Sequence, residues 1–199
     1  MARARYVDLS VEPETWRDVP MPGANRSLSL VPLASAGATF TIMGRFPRGF
    51  ERTTPGGYFA AEEFIVLDGY LEIEGVRYVP GDLVFIPAYY LRTQMRAPEG
   101  CRVLAWFGGP AIFRTVDELG ACAVSEGIVS VPIGASAGRD FLVTSEARWS
   151  AHPRGDEEIL VQGSDVIGRE LSQWHHIDGE GGAARVSSAF VHRVPVESA

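Results

Sequence analysis

The chain has 199 residues, of which 46% are hydrophobic and 22% charged, a balance typical of a globular protein with one well-buried domain and extensions. The net charge of −7 argues against a nucleic-acid-binding protein, because neutralising phosphates requires clustered Lys and Arg. No apolar run is long enough to span a membrane, the N-terminus lacks the apolar segment of a signal peptide, and the two cysteines have no disulfide-framework spacing. We therefore expect a cytoplasmic protein with no membrane or nucleic-acid partner.

Short apolar runs separated by Gly, Pro and Asp follow one another from Ser27 onward. Several alternate with a period of two, which is typical of half-buried strands. In YLEIEGVRYV the apolar residues alternate with glutamates, and Gly75 is suited to the turn. The segment from Thr115 to Gly120 is predicted to be a short helix. Many short strands with Gly/Pro turns predict an all-β antiparallel sandwich or barrel.

The segment IGASAGRD, residues 133–140, has the composition of a linker between residues 1–132 and residues 141–199. GATFTIMGRFPRG, from Gly37, resembles GAARVSSAFVHRVPV, from Gly182. We therefore expect residues 141–199 to form a partial second repeat, the opening strands of a second barrel, which packs on the first barrel or on a partner subunit. Because unpaired strand edges require a partner, we expect a homodimer.

The stretch PGGYFAAEEFIVLDG lies in a spacing pattern that resembles the first motif of the cupin superfamily. That motif is Gly, five residues, His-x-His, three or four residues, Glu, six residues, Gly. Here Gly49, Glu62 and Gly69 keep the frame, but Pro55 and Gly57 stand where the family has histidines.

The second cupin motif is Gly, five residues, Pro-x-Gly, two residues, His, three residues, Asn. Gly81 and Pro87 fit it, whereas Tyr89 stands for the Gly, Arg92 for the His and Arg96 for the Asn. The resemblance implies an all-β double-stranded β-helix, or jelly-roll barrel. The suspected half-repeat looks most similar to cupins of the anti-sigma-factor ChrR type and to two-barrel proteins of unknown function.

The departures from the family pattern bear on the metal site. In metal-binding cupins, imidazole nitrogens and one carboxylate converge on a divalent ion. Pro55 and Gly57 offer no side-chain donor, and the fixed cation of Arg92 would repel an ion. We therefore expect no metal and no other cofactor. A metal-dependent cupin with non-standard ligands, through Glu63 or Tyr58, is the least favoured alternative.

Two charged residues, Glu62 and Arg92, are predicted to point into the interior of the barrel. The period of two sends Glu62 inward from one strand, and the same logic sends Arg92 inward from the facing strand, with Tyr90 and Gln94 on its side. The two charges are expected to meet in a hydrogen-bonded pair, because a lone buried charge is costly. Such a pair fits two interpretations: a structural plug, or a site in which Arg92 binds a carboxylate or phosphate and Glu62 acts as an acid or base.

Other residues are candidates for the pocket or its rim, namely Tyr58, Tyr89 and Arg45. Together they favour a metal-independent cupin that binds a small anionic or aromatic molecule. If it is an enzyme, isomerase, cyclase or lyase chemistry through Glu62 and Tyr90 fits best. The alternative is a degenerate cupin with a structural or regulatory role.

The histidines invite a metal hypothesis, which the sequence does not favour. His175 and His176 are adjacent, so on a strand they point to opposite faces, and at most one could join His192. Surface or capping histidines are expected instead. His152 precedes a proline, and no nucleophile motif is present in the sequence.

Overall fold

The computed structural model describes residues 5–120, 127–134, 140–178 and 182–196. Cys122 lies outside these ranges. The first strands in chain order are β1 (Arg5–Asp8), β2 (Arg17–Val19), β3 (Leu28–Ala36), β4 (Thr39–Phe46), β5 (Phe50–Arg52), β6 (Gly56–Tyr58), β7 (Glu62–Gly69), β8 (Leu71–Ile73), β9 (Val76–Tyr78), β10 (Asp82–Ile86) and β11 (Met95–Ala97). The remaining elements are β12 (Cys101–Phe107), β13 (Phe113–Thr115), α1 (Val116–Leu119), β14 (Val129–Pro132), β15 (Asp140–Val143), β16 (Ala147–His152), β17 (Glu157–Ile159), β18 (Asp165–Gly168), β19 (Gln173–His176), β20 (Ala184–Val186) and β21 (Phe190–Pro195). Within the described ranges no helix is long and apolar enough to cross a membrane.

The chain divides into two compact units, the first formed by residues 13–130 and the second by residues up to 12 together with those from 131 onward. The first unit contains a seven-stranded sheet in the order β14-β10-β7-β12-β4-β3-β2 and a four-stranded sheet in the order β5-β11-β8-β9. The described pairings within these sheets are antiparallel, as the sequence predicts. Apolar side chains of both sheets form one core, including Phe64, Val66, Leu71 and Ile73.

Strand β7 shows why the predicted period of two holds in the first unit. It lies between β10 and β12, so every residue from Glu62 to Val66 is buried. Phe64 and Val66 belong to the core cluster between the sheets, so Glu62 on the same face also points inward. At the end of β7, Gly69 has φ of 69°, and a Cβ there would lie 2.1 Å from the carbonyl oxygen of Gly100. A glycine is therefore required at this close approach.

The predicted turn and helix are both confirmed. Glu74 and Gly75 have φ of 52° and 79°, which suits the tight turn between β8 and β9. Helix α1 follows Thr115 and ends at Gly120. The Glu118 carboxylate accepts a hydrogen bond from the Thr115 main-chain N–H at 2.8 Å, and this reciprocal cap fixes the start of the helix.

The second unit repeats the strand connections of the first. Its six-stranded sheet has the order β1-β19-β18-β21-β16-β15, and β17 pairs with β20. The central strands β19, β18, β21 and β16 thus correspond to β10, β7, β12 and β4. The chain between β18 and β19 is four residues long, 169–172, whereas residues 70–81 between β7 and β10 include the β8–β9 hairpin. The second cupin-like repeat is therefore the smaller one.

The sequence correspondence proposed for the repeat is wrong. The segment from Gly182 was expected to match the opening strand from Gly37, but it contains β20 and β21. Strand β21 lies between β16 and β18, as β12 lies between β4 and β7, so it is the last strand of the repeat. A Gly-Ala start and an Arg-x-Pro end are too short a pattern to fix which strand of a repeat is being matched.

The expected boundaries also differ from the structure. Strand β1 was placed in a first domain of residues 1–132, yet it pairs with β19 in the second unit. Asp140, expected to end the linker, begins β15. The tail strands pair with one another and with β1 instead of being short of partners. The homodimer stays a prediction that no longer rests on unpaired tail strands.

Candidate functional site

The first unit contains a cavity of about 290 Å³ that is partly open to solvent. Its polar lining residues in the described chain are Tyr58, Glu62 and Arg92. The rest of the wall is almost wholly apolar. It consists of Val19, Pro20, Met21, Pro22, Leu28, Leu30, Phe40, Ile42, Gly44, Phe46, Met95, Val103, Ala105, Phe107, Ala111, Ile112 and Phe113. An apolar cavity with a few convergent polar groups is the usual form of a small-molecule site.

Arg92 is fixed in the cavity wall by its main chain. Its N–H donates to the carbonyl of Gly56 at 2.8 Å, and the Gly56 N–H donates to the carbonyl of Arg92 at 3.0 Å. The side chain is 2% exposed, and its Nη2 lies 2.7 Å from Oε2 of Glu62. The predicted inward pair of Glu62 and Arg92 is thus confirmed.

Tyr58 lies against the same guanidinium. The Arg92 guanidinium carbon is 4.9 Å from the centre of the Tyr58 ring, which is a cation–π contact. Burial raises the pKa of Tyr58, and the charge of Arg92 opposes this shift. The hydroxyl therefore stays protonated near neutral pH and can donate a hydrogen bond.

Arg52 is a second buried cation, which the sequence reasoning missed. Its side chain is 1% exposed, and Nη1 donates to the carbonyl of Thr54 at 3.0 Å. The guanidinium carbon lies 4.4 Å from the ring of Phe113, which lines the cavity. Burial, and then the charge of Arg92, lowers the pKa of Arg52 to about 10, so it is still charged at neutral pH. The sequence could have indicated that Arg52 is buried, because Arg52 follows the apolar Phe50 by two residues and the period of two in a strand places both side chains on one face.

The charged groups are not saturated by hydrogen bonds. Nε of Arg52, Nε of Arg92 and Oε2 of Glu62 are buried and have no hydrogen-bond partner in the described part of the chain. The 2.7 Å contact between Arg92 and Glu62 is a charge contact without the angle of a hydrogen bond. Buried polar groups are nearly always satisfied in native proteins, so this site retains unused hydrogen-bonding capacity.

Four of the predicted site residues do not line the cavity of the first unit: Arg45, Tyr89, Tyr90 and Gln94. Arg45 lies 4.3 Å from the ring centre of Trp16, Tyr89 packs 5.2 Å from the ring of Phe59, and the Gln94 main chain bonds to Glu74. The physical reason is local, because residues 87–94 form a loop with a single bridge at Arg92. The alternation assumed for a facing strand does not apply there, so Tyr90 is not placed as a catalytic residue, and Tyr58 contributes the hydroxyl instead.

The residues present do not fit the metal site of a cupin. A Cβ at Gly57 would lie 2.2 Å from the main-chain oxygen of Tyr90, so no histidine fits there without moving the backbone. Arg92 places a permanent cation in the cavity, and Glu62 is already paired with it. Glu63, suggested as a non-standard ligand, is buried but does not line the cavity. In the residues described here, no three His, Cys, Asp or Glu side chains form a group able to hold an ion.

The histidines of the second unit have polar or aromatic partners. Nδ1 of His176 lies 2.9 Å from Oδ1 of Asp165, and His175 packs 4.9 Å from the ring of Tyr6. His192 was expected at the surface or at a cap, but it is 8% exposed because β21 is an inner strand of the sheet. Burial lowers the pKa of His192, and the nearby His152 lowers it further.

A second set of contacts in this unit has the order of a catalytic triad. Ser150 Oγ lies 3.2 Å from Nε2 of His152, and Nδ1 of His152 lies 3.3 Å from Oε2 of Glu157. The Glu157 side chain is 48% exposed, whereas the acid of such a triad is buried and holds the imidazole rigidly. These residues therefore do not make a built hydrolytic site.

No protein-family model and no curated protein matches the sequence. Solved structures do match over nearly the whole chain. A protein of Nostoc punctiforme named as a candidate dioxygenase is 13% identical, with a TM-score of 0.69, covering 98% of this chain and 82% of that one. Protein YlbA of E. coli is 10% identical, with a TM-score of 0.57 and coverages of 99% and 92%.

A protein of Pseudomonas aeruginosa, named as a candidate glyoxylate-induced protein, is 11% identical, with a TM-score of 0.54 and coverages of 100% and 91%. Identities this low carry no residue roles from one protein to another. The TM-scores show that these cupin-fold proteins share the fold of this chain over nearly its whole length. The chain therefore has the all-β cupin fold.

Proposed function

We propose that the first unit binds a small molecule in its cavity without a metal ion. The observation that carries this proposal is an apolar cavity of about 290 Å³ with unsatisfied polar atoms of Glu62 and Arg92 at its wall. An apolar ligand body would bury surface against the wall, and a polar group would use the free hydrogen-bonding capacity of Arg92.

Aromatic side chains shape the cavity for a flat ligand. Phe40 and Phe107 stack with ring centres 4.9 Å apart, and Tyr58 meets the edges of Phe107 and Phe113 at 5.9 Å and 6.0 Å. An aromatic ligand could extend this arrangement of stacked and edge-on rings. The arrangement of these rings therefore favours a small aromatic ligand over a long, flexible one.

A non-redox reaction would place a further demand on the site. Glu62 is the carboxylate that lines the cavity, so it is the candidate base of an isomerase, cyclase or lyase. It could accept a proton only after leaving Arg92, which requires a ligand anion to take its place on the guanidinium. Proton transfer adds this demand to those of binding, and we therefore propose binding as the function and proton transfer as its extension.

The alternative is a barrel whose charge pair only stabilises the fold, with a structural or regulatory role for the protein. The contacts of Arg92 with Glu62 and Tyr58 favour it, because they fill one end of the interior without a ligand. The two functions make opposite predictions for a change that fills the cavity.

The test is a small-compound thermal shift screen in the presence of EDTA, run on wild type and on Ala105→Leu. Ala105 lines the cavity and is 1% exposed, so the larger side chain would take ligand space. We expect small acids or aromatic compounds to raise the Tm of wild type and of the exposed-site control Ala36→Leu, but not that of Ala105→Leu. If no compound shifts wild type and Ala105→Leu is more stable than wild type, the barrel is structural.

A further inference from the structure

The charges buried at the cavity do not balance. Arg52 and Arg92 contribute two cations, and Glu62 contributes one carboxylate. Glu74 is a further negative charge that acts on Arg52, but it is the weakest of the charges around that residue, because its carboxylate is half-buried and partly screened by water. Among the buried charged groups that line or back the cavity in the described chain, the two guanidiniums therefore outnumber the single carboxylate by one positive charge.

An uncompensated guanidinium beside an apolar cavity is unfavourable, because burial removes its hydration. The unpartnered Nε atoms of Arg52 and Arg92 show that neither cation is saturated by the protein. Arg52 itself does not line the cavity; its guanidinium lies behind the ring of Phe113. It can thus act on a ligand through its charge, while Arg92 is placed for direct contact.

One negative charge on the ligand would restore balance. A carboxylate accepts hydrogen bonds and donates none, which matches guanidinium and tyrosine donors. A phosphate monoester carries roughly 1.5 to 2 negative charges near neutral pH and would reverse the imbalance. An amine would add a third cation to the same end of the cavity.

The cavity volume gives the size of the part of the ligand that it can hold. At roughly 30 Å³ for each water-sized group, a volume of about 290 Å³ holds about ten non-hydrogen atoms. The wall away from Glu62 and Arg92 is apolar, with Phe40, Phe107 and Phe113 among its members. A second charged or strongly polar group on the ligand would find no partner there.

We propose that the ligand is an apolar monocarboxylic acid of about ten non-hydrogen atoms, bound through its carboxylate to Arg92, with Arg52 supplying the uncompensated charge. The inference rests on the proposed binding function and adds the charge and size class of the ligand. It assigns Arg52 as an electrostatic positioning residue. Glu62 competes with the ligand for the same guanidinium.

Calorimetric titration with three compounds of similar size tests this inference: cinnamate, its neutral amide cinnamamide, and phenyl phosphate. We expect cinnamate to bind about tenfold more tightly than cinnamamide, the gain of one charge-assisted hydrogen bond. Glu62→Gln is expected to tighten cinnamate binding by about tenfold, because it removes the competing carboxylate. Glu72→Gln is the matched control, since Glu72 pairs with Arg77 and Arg96 away from the cavity, and its affinity should equal that of wild type.

Arg52 is tested by Arg52→Met and Arg52→Lys. The first should weaken cinnamate binding about tenfold and leave cinnamamide unchanged, and the second should restore cinnamate binding by restoring the charge. If Arg52→Met does not fold, Arg52→Gln takes its place, because its neutral amide keeps a donor for the carbonyl of Thr54. Equal cinnamate affinity of Arg52→Gln and wild type would overturn the electrostatic role of Arg52.

The other results of the titration separate a wrong ligand class from a wrong binding function. Equal affinity for cinnamate and cinnamamide would overturn the carboxylate inference and leave the proposed binding function standing. Tighter binding of phenyl phosphate than of cinnamate would overturn the single-charge inference. If none of the three compounds binds while the thermal shift screen finds another ligand, the ligand class alone is wrong; if that screen is also empty, the binding function fails with it.

Discussion

Arg92 is held from two sides, by main-chain hydrogen bonds to Gly56 and by the side chains of Glu62 and Tyr58. Such a residue is restricted before any ligand arrives, so little conformational entropy remains to be lost on binding. The same burial makes the pair sensitive to the removal of one partner. A carboxylate left alone in the barrel has neither water nor a counter-charge.

We therefore predict that Arg92→Met lowers the free energy of unfolding by about 3 kcal/mol. The double change Arg92→Met with Glu62→Leu should recover most of this loss, because apolar pairs can replace buried ion pairs at little cost. Urea denaturation of the four combinations gives the coupling. Arg48→Met, which removes the exposed pair of Arg48 with Glu99, should cost less than about 1 kcal/mol. Independent, additive effects at positions 62 and 92 would contradict the buried pair.

The sequence predicts some of these residues for a clear reason. Glu62 lies on a regular strand, where the period of two predicts which side chains point inward. Arg92 occupies a position of the cupin motif that faces the barrel interior. The motif spacing and the strand period together therefore predict the pair. Tyr90 packs against the barrel core as expected, but neither Tyr90 nor Gln94 lines the cavity, because their segment is a loop in which side-chain direction follows local turns. Arg52 was missed because an arginine at the end of a short strand is usually solvated, and only its spacing of two from the apolar Phe50 indicates the inner face.

At the scale of elements, β1 is the edge strand that the second unit takes from the opposite end of the sequence. Leu9 N–H donates to the carbonyl of Ser172 at 2.9 Å. Alternation of hydrogen-bonded pairs then directs the N–H of Val7 toward Trp174 on β19. The attachment of β1 is thus carried by main-chain bonds that a proline would remove.

Val7→Pro is expected to destabilise the second unit by about 2 kcal/mol, because it removes a ladder hydrogen bond and leaves a carbonyl unpaired. Val7→Ala, which keeps the N–H, is the matched control. Hydrogen exchange should show faster exchange in residues 173–176 of Val7→Pro and unchanged protection in β12 of the first unit. Equal protection of residues 173–176 in both variants would show that β1 is not paired with β19.

Alternation and turn residues were enough to predict the strands of the first unit, the β8–β9 turn and α1. They were not enough for the second repeat, where the segment from Gly182 was matched to the wrong strand. Strands with similar apolar patterns recur within one barrel, and pairing partners far apart in sequence leave no local signal. The pairing of β1 with β19 is such a case.

At the scale of the whole molecule, the second unit is the acid-sensitive part. Burial lowers the pKa of both His175 and His192 from 6.5, and His152 adds to the shift at His192, whereas Asp165 and Glu157 oppose it. The unfolded chain therefore binds more protons than the folded one in the range just below pH 6.5. Stability contributed by these neutral histidines is complete above that pH and is lost as the pH falls.

We predict lower stability of the second unit at pH 5.5 than at pH 7.5, with the loss beginning near the usual histidine pKa and continuing below it. Hydrogen exchange of residues 173–176 measures this unit, because tryptophan fluorescence would also report Trp16 and Trp106 of the first unit. His192→Gln should flatten this dependence. Carboxylates with a lowered pKa, such as Glu72, titrate below their usual value of 4.5 and do not contribute in this range. Unchanged or greater stability on acidification would contradict the prediction.

The pairing of β1 with β19 also sets an order of assembly during synthesis. Residues 13–130 are contiguous, so the first barrel can close as soon as they leave the ribosome. Residues 5–8 emerge before that barrel yet must wait until residues 173–176 have been made. The nascent chain thus carries β1 without its partner throughout the folding of the first barrel, and β1 can pair only once β19 has been made.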